Sequence, residues 1–183
     1  MRQILFFCAL GVLVVLFPSY GFSGTMDFDS RSSSVIFKVK QLAGLVVGGF
    51  KEFSGTLEAD GAKLKSIRVE IATGSVFTRQ LQRDWDLFGP ELFDTAAFPS
   101  ATFVSRQVSG DAVTGDMTFR GKTKPVTLKL TALPPDEKGV SGFALEGRVS
   151  RKDFGLTFNR RLDDGKMLLA DEVEVKAIVR AGP

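Results

Sequence analysis

From Val35 to Val179 apolar and polar residues alternate in short runs separated by turn residues, and the rhythm breaks for any length only between Thr78 and Phe103. A period of two is the mark of strands with one buried and one wet face. Val35, Phe37 and Val39 stand opposite Ile36, Lys38 and Lys40 in the first run. Gly44, Gly48 and Gly49 then predict a tight reversal into Phe50–Glu58, where Phe53 and Leu57 flank Gly55. Asp60-Gly61 is a hairpin signal, and Ile67, Val69 and Ile71 form the next inward row. Ala101–Val108 follows the break, with Phe103 on its apolar side, and then Val113, Gly115, Met117 and Phe119. Val126, Leu128 and Leu130 come next, then Phe143, Leu145, Gly147 and Val149, and last Val173, Val175, Ala177 and Val179. Arg160-Arg161 beside Asp163-Asp164-Gly165 reads as a solvated hairpin tip.

About eight strands joined by short turns predict an all-β fold with one helical excursion, an antiparallel up-and-down barrel. A two-sheet sandwich fits the same alternation. The barrel is favoured because Gly55, Gly115 and Gly147 occupy inward positions, where a strand glycine marks a bend or a close approach by a ligand.

The excursion, Thr78–Phe103, is different. Leu81, Trp85 and Phe88 recur at spacings of four and three and predict a short helix over Thr78–Phe88, with that stripe facing inward and Thr78 as its N-cap. Gly89-Pro90 supplies the stop, and Leu92, Phe93 and Phe98 arrive before Pro99 returns the chain to an extended run. An aromatic-rich excursion on a β-domain is expected to cap the mouth of the barrel.

The first 23 residues stand apart from this pattern. Met1-Arg2-Gln3 followed by the unbroken apolar run Ile4–Phe17 and the small residues Gly21 and Ser23 predict a secretory signal peptide over residues 1–23, cut near Ser23/Gly24. The domain then spans 24–183, and the expected location is periplasmic or secreted. An apolar run of this length is short of the roughly 20 residues a spanning helix needs, so no stable membrane insertion is expected once it is removed.

Composition narrows the chemistry. The chain contains no histidine, and its single cysteine (Cys8) and single tyrosine (Tyr20) both lie in the leader. The domain therefore has no imidazole, thiol or phenol for a nucleophile pair, a His/Cys metal site or a Tyr acid. No metal or cofactor is expected, and a non-catalytic binding protein is the leading expectation. A carboxylate-dependent enzyme using Asp84 and Asp86, and an envelope interaction module with a filled core, are the alternatives. A net charge of +3 gives no case for nucleic acid.

Several markers recur in order along the chain. They are Asp29, Ser33, Val35 and Phe37; Gly48/Gly49 with Phe50, Phe53, Gly55 and Leu57; Thr78, Arg83, Asp84, Leu87, Phe93, Pro99, Thr102 and Phe103. Val113, Gly115, Gly121, Thr123, Lys124 and Pro125 follow, then Arg151, Phe154 and Gly155, and finally Val173 and Val175. In this series the chain resembles the YceI-like proteins, the lipocalin-like group associated with binding polyisoprenoid lipids. The resemblance implies an eight-stranded lipocalin-like barrel enclosing a long apolar channel for an isoprenoid chain. Where members of that group commonly carry histidine, this chain has Ser32, Gln41 and Asp86, so no role that needs an imidazole there can operate.

Thirteen of the 17 phenylalanines lie after residue 23 and converge on the inward rows and the excursion. The expected channel lining is Phe37, Val39, Phe53, Val69, Ile71, Leu81, Trp85, Phe88 and Phe93, continued by Phe103, Phe119, Leu128, Phe143, Leu145 and Phe154. Arg83 and Asp84, followed by Arg151, are the candidates for a polar mouth that holds a phosphate or quinone-like oxygen, with Lys122 and Lys124 behind them. An internal Arg–carboxylate pair pinning the helix to the barrel is the competing use of the same residues. The expected partner is an apolar or amphiphilic lipid, and pairing of two copies through a sheet edge stays open.

Overall fold

The computed structural model describes residues 23–159 and 168–181. Residues 1–22 of the expected leader and the charged tip at 160–165 lie outside the described residues. The described residues form eleven strands: β1 (Ser23–Asp29), β2 (Ser34–Gln41), β3 (Gly44–Phe50), β4 (Phe53–Asp60), β5 (Lys63–Ala72), β6 (Val76–Phe77), β7 (Ser100–Ser109), β8 (Ala112–Phe119), β9 (Lys122–Leu133), β10 (Gly142–Ser150) and β11 (Leu169–Arg180). One helix, α1 (Leu81–Phe88), interrupts them. All pairings are antiparallel, in the order β1-β4-β5-β7-β8-β9-β10-β11-β2-β3-β6.

That order forces the sheet to curl. β3 is second from one end of the strip and β4 second from the other, yet only Lys51 and Glu52 separate them. Three peptide units reach about 11 Å at most, so the two ends must meet. Where the chain passes from β3 to β4 it prolongs the neighbouring ladders: Lys51 N–H donates to the Ser75 carbonyl at 3.1 Å beyond the β3–β6 pair, Ala72 N–H to the Glu52 carbonyl at 3.0 Å beyond β4–β5, and Ser30 N–H to the Phe53 carbonyl at 3.2 Å beyond β1–β4. The result is a curled, barrel-like antiparallel sheet. The fold class is the one the alternation predicts, with eleven strands in place of eight.

The additional strands are β1, β3 and β6. Gly44, Gly48 and Gly49 do not make the reversal, which falls at Leu42-Ala43; they are part of β3 itself. Gly48 pairs with Phe37, whose ring lies where a Cβ at Gly48 would be. The inward glycines follow the same rule. The ring of Phe28 covers Gly55, Phe103 Cζ would stand 2.7 Å from a Cβ at Gly115, and Leu128 Cδ2 2.6 Å from one at Gly147. Side chains of neighbouring strands, and not a ligand, use the space these three glycines leave.

Inside, one half of the barrel is solid. Leu57, Ile67, Val69, Val113, Leu145 and Val179 are buried together with Phe28, Phe53 and Phe143. Filling this half to interior density leaves little tolerance for added volume. Gly55→Val, which drives a branched side chain into the Phe28 ring and the Arg68 carbonyl, is expected to destabilise the domain by about 2 kcal/mol in chemical denaturation. Gly61→Asn, at a left-handed turn position (φ 58°) with no atom within 4 Å, is expected to cost less than about 1 kcal/mol in the same measurement.

Candidate functional site

The other half is hollow. A cavity of about 310 Å³ opens there between the inner faces of β2, β3, β8, β10 and β11, under α1 and the segment that follows it. Five phenylalanine rings run across it in edge and face contact: Phe50 to Phe37 at 5.9 Å between centroids, both to Phe93 at 6.2 and 6.4 Å, Phe93 to Phe119 at 4.9 Å, and Phe119 to Phe154 at 6.3 Å. The pairs are mostly tilted or edge-on, the arrangement the ring quadrupole favours. Val39, Val149, Val173 and Val175 complete the strand walls, and Leu87, Leu92, Leu156, Phe158 and Leu168 the mouth side.

Phe93 is the plug that the excursion was expected to supply, and the backbone explains how it is held. Its N–H donates to the Leu87 carbonyl (3.0 Å), Thr95 N–H to Phe88 (3.1 Å) and Asp94 N–H to Gly89 (2.9 Å). The segment thus folds back and satisfies the open carbonyl end of α1. The return is anchored by Thr73, 1 % exposed, whose hydroxyl donates to the Phe98 carbonyl at 2.6 Å while its N–H reaches Pro99 at 3.0 Å.

The helix is rotated from its expected pose. It starts at Leu81, its N-cap residue is Gln80, and Leu81 and Trp85 are 79 % and 69 % exposed. Neither lines the cavity. Phe88 packs its edge on Trp85 at 5.8 Å and only part of itself on the core. The inward face is Arg83 and Leu87. The cause lies just before the helix, where buried Thr78 donates through its N–H (2.7 Å) and hydroxyl (2.6 Å) to Asp84 Oδ1 and accepts from Arg83 Nε at 2.9 Å. Thr78 therefore caps nothing at the expected place; it fastens Arg83 and Asp84 together and turns the Leu81/Trp85 stripe outward.

Of the residues expected in the lining, Phe37, Val39, Phe93, Phe119 and Phe154 border the cavity. Phe53, Val69, Leu128, Phe143 and Leu145 are buried in the solid half, and Ile71 and Phe103 pack against it. Of the expected polar mouth, Arg83 and Arg151 border the cavity and Asp84 does not. Arg151 is 5 % exposed and its donors are spent: Nε on Ala170 O (3.0 Å), Nη1 on Leu156 O and Phe158 O (both 2.6 Å), Nη2 on Asp171 (3.1 Å). It is the post to which the cavity-side loop 155–159 is tied. Lys152 also pairs with Asp171, and its hydrogen bond, ahead of the Arg151 charge, holds the Asp171 carboxyl below the ordinary range. A depressed carboxyl stabilises above its unfolded pKa near 4, and that contribution is lost as the pH falls through the lowered value.

Arg83 is different. Its Nε goes to Thr78 and its Nη2 to Gln80, and Nη1 has no partner among the described residues. Gln41, marked in the sequence only as standing where the family commonly carries histidine and not among the expected site residues, joins it: the side chain borders the cavity and makes no hydrogen bond to a described residue. Its place at the end of the inward row Val35, Phe37, Val39 is the signal that could have put it in the lining. So the cavity offers apolar walls and, at its rim, one unspent guanidinium edge and one amide.

A YceI-like domain is matched over residues 26–181, essentially all of the described chain. The chain belongs to the YceI-like family. Protein YceI of Salmonella newport is 37% identical over 143 residues, covering 72% of this chain and 75% of that protein. Among solved structures, Burkholderia cenocepacia BcnA superposes with a TM-score of 0.73 at 28% identity, covering 85% of this chain and 99% of BcnA. A polyisoprenoid binding domain from Saccharophagus degradans superposes with a TM-score of 0.63 at 15% identity, covering 88% and 100%, and shares the fold.

Replacing Arg151 with Met removes four hydrogen bonds, takes the donor away from the Leu156, Phe158 and Ala170 carbonyls and from Asp171, and unties the loop 155–159. A loss on the order of 3 kcal/mol is expected in thermal or chemical unfolding, and Arg151→Lys is expected to recover little of it because a single ammonium cannot serve the fork.

Proposed function

We propose that this YceI-like protein binds an apolar or amphiphilic lipid of isoprenoid type by its chain end, and carries or sequesters it outside the cytoplasm rather than transforming it. The observation that carries the reading is the cavity itself: of the 21 residues that border it only Gln41, Thr78, Arg83 and Arg151 are polar, and two of those four are spent on the protein's own backbone and side chains. Such a wall excludes a sugar, a nucleotide or a peptide backbone, whose buried polar groups would go unpaired. It suits hydrocarbon.

Size sets how much hydrocarbon. At roughly 30 Å³ per water-sized group, 310 Å³ holds on the order of ten heavy atoms, about two isoprene units. Among the described residues the cavity does not run on into the half filled by Leu57, Ile67 and Val113, so the long channel implied by the resemblance is not found there. A longer lipid would insert one end and leave the remainder outside. Burial of each methylene is worth roughly 0.8 kcal/mol against water but little against a membrane, so loading and unloading stay balanced. Arg83 Nη1 and the Gln41 amide then supply the contact that distinguishes one head or end group from another. An anionic or carbonyl oxygen fits both donors. The absence of imidazole, thiol and phenol from residues 24–183 supports binding over catalysis, and the apolar leader supports export.

Protein comprising Ser23–Pro183, which contains every strand and the helix, is expected to take up farnesol in native mass spectrometry at a stoichiometry of one. Repeated failure to load, with the protein folded, would remove the reading. Val175→Trp fills the cavity and is expected to reduce uptake at least about tenfold with the melting temperature preserved. Arg83→Gln is expected to weaken farnesyl phosphate by about tenfold, while farnesol changes little.

A further inference from the structure

The large apolar side chains that the described surface leaves in water are not scattered. They are Leu42, Leu45 and Val47 on the β2–β3 hairpin, Leu81 and Trp85 on α1, and Phe158 on the loop tied down by Arg151. Each belongs to an element that frames the mouth of the cavity. Leu42 follows Gln41 and donates its N–H to the carbonyl of Leu168, both of which border the cavity. Leu45 and Val47 flank the cavity residue Val46; Leu81 and Trp85 flank Arg83; Phe158 borders the cavity directly. Scattered exposed apolar residues need no explanation, but a set gathered around one opening does.

Two cations at this rim have no ion partner among the described residues. Lys40 is paired in register with Leu45 on the same outer face of the hairpin, and Arg79 stands two residues before α1. Both are exposed, and neither forms an ion pair with a described residue. Of the nearby carboxylates Asp171 is ion-paired with Arg151 and Lys152, while Asp84 and Asp86 accept hydrogen bonds from the neutral side chains of Thr78 and Gln82. Apolar side chains interleaved with unpaired cations, around an opening lined with hydrocarbon, match the surface of an anionic bilayer. Among the described residues no helix is long and apolar enough to cross a membrane, and a rim of a few apolar side chains with cations beside them suits a peripheral contact.

We propose that the rim formed by the β2–β3 hairpin, the outer face of α1 and Phe158 docks on the surface of an anionic lipid bilayer, with Leu42, Leu45, Leu81 and Trp85 at acyl-chain depth and Lys40 and Arg79 among the head groups. Docking gives a lipid whose chain exceeds the cavity an apolar path from bilayer to barrel. This purpose rests on the lipid-binding reading of the cavity; the contact itself is measured separately. It also gives the rotated helix a use, since a stripe that does not plug the barrel faces the membrane instead.

Trp85 is the only tryptophan of the chain and sits in the patch, so it reports the contact. Protein from Ser23 onward, free of the leader's own apolar run, is mixed with phosphatidylcholine vesicles with and without phosphatidylglycerol. The expected result is a blue shift of Trp85 emission and co-flotation with the phosphatidylglycerol vesicles, weakened by salt. Combined Leu42→Ser, Leu45→Ser and Leu81→Ser, none of them in the cavity wall, is expected to cut vesicle binding about tenfold with melting unchanged, and Lys40→Gln with Arg79→Gln to abolish the preference for phosphatidylglycerol. No shift at saturating vesicles, or equal binding by the serine variant, overturns docking. So does a blue shift that grows with protein concentration without vesicles, which makes the patch an interface between copies. Farnesol delivered from cyclodextrin separates the two readings: uptake without vesicle binding overturns docking alone, and vesicle binding without uptake overturns the cavity's role alone.

Discussion

Lys51 and Glu52 are all that separates the second strand from one end of an eleven-strand strip from the second strand at its other end. A flat sheet cannot meet that constraint. The strip curls, its apolar faces turn to a common interior, and the interior then has to be filled or left open. In one half, Leu57, Ile67, Val113, Leu145 and Val179 fill it, and phenylalanines lie on glycines of neighbouring strands to let the walls approach. In the other half the rings of Phe37, Phe50, Phe93, Phe119 and Phe154 meet one another across a gap instead of interlocking over it. The cavity is what the curl leaves where ring meets ring.

The excursion between β6 and β7 decides how that gap is closed. One threonine, Thr78, binds both Arg83 and Asp84 and so sets the rotation of α1. With that rotation Phe93 enters the barrel, Leu87 and Arg83 face the opening, and the most apolar stripe of the helix is left in water. Arg151 performs the matching task on the opposite side of the mouth, where three backbone carbonyls and Asp171 take all of its bonding. Two arginines at one opening therefore have different parts: one is structural, the other keeps a donor free.

Strand existence and facing were legible in the sequence because a period of two survives any tertiary arrangement: every inward row named from Val35 to Val179 faces the interior. β3 was hidden because three glycines in seven residues look like a turn when the ring of Phe37 that covers one of them is out of view. The helix face was misread for a related reason. Leu81, Trp85 and Phe88 form the more apolar stripe, and nothing local reveals that a threonine outside the helix will hold the Arg83 side inward. Which half of the barrel is hollow was not legible either. Phe53 and Phe119 have similar surroundings in sequence, and only closure of the sheet puts one in packed core and the other beside a void.

The central claim is that hydrocarbon enters one half of this barrel and not the other, and site-resolved chemical shifts on addition of a short prenyl alcohol test it most directly. The account predicts perturbations at Val39, Leu87, Phe93, Phe119 and Val175, with Leu57, Ile67, Val113 and Val179 unmoved. Perturbations centred on the second group, or none in either at saturating alcohol, would contradict it.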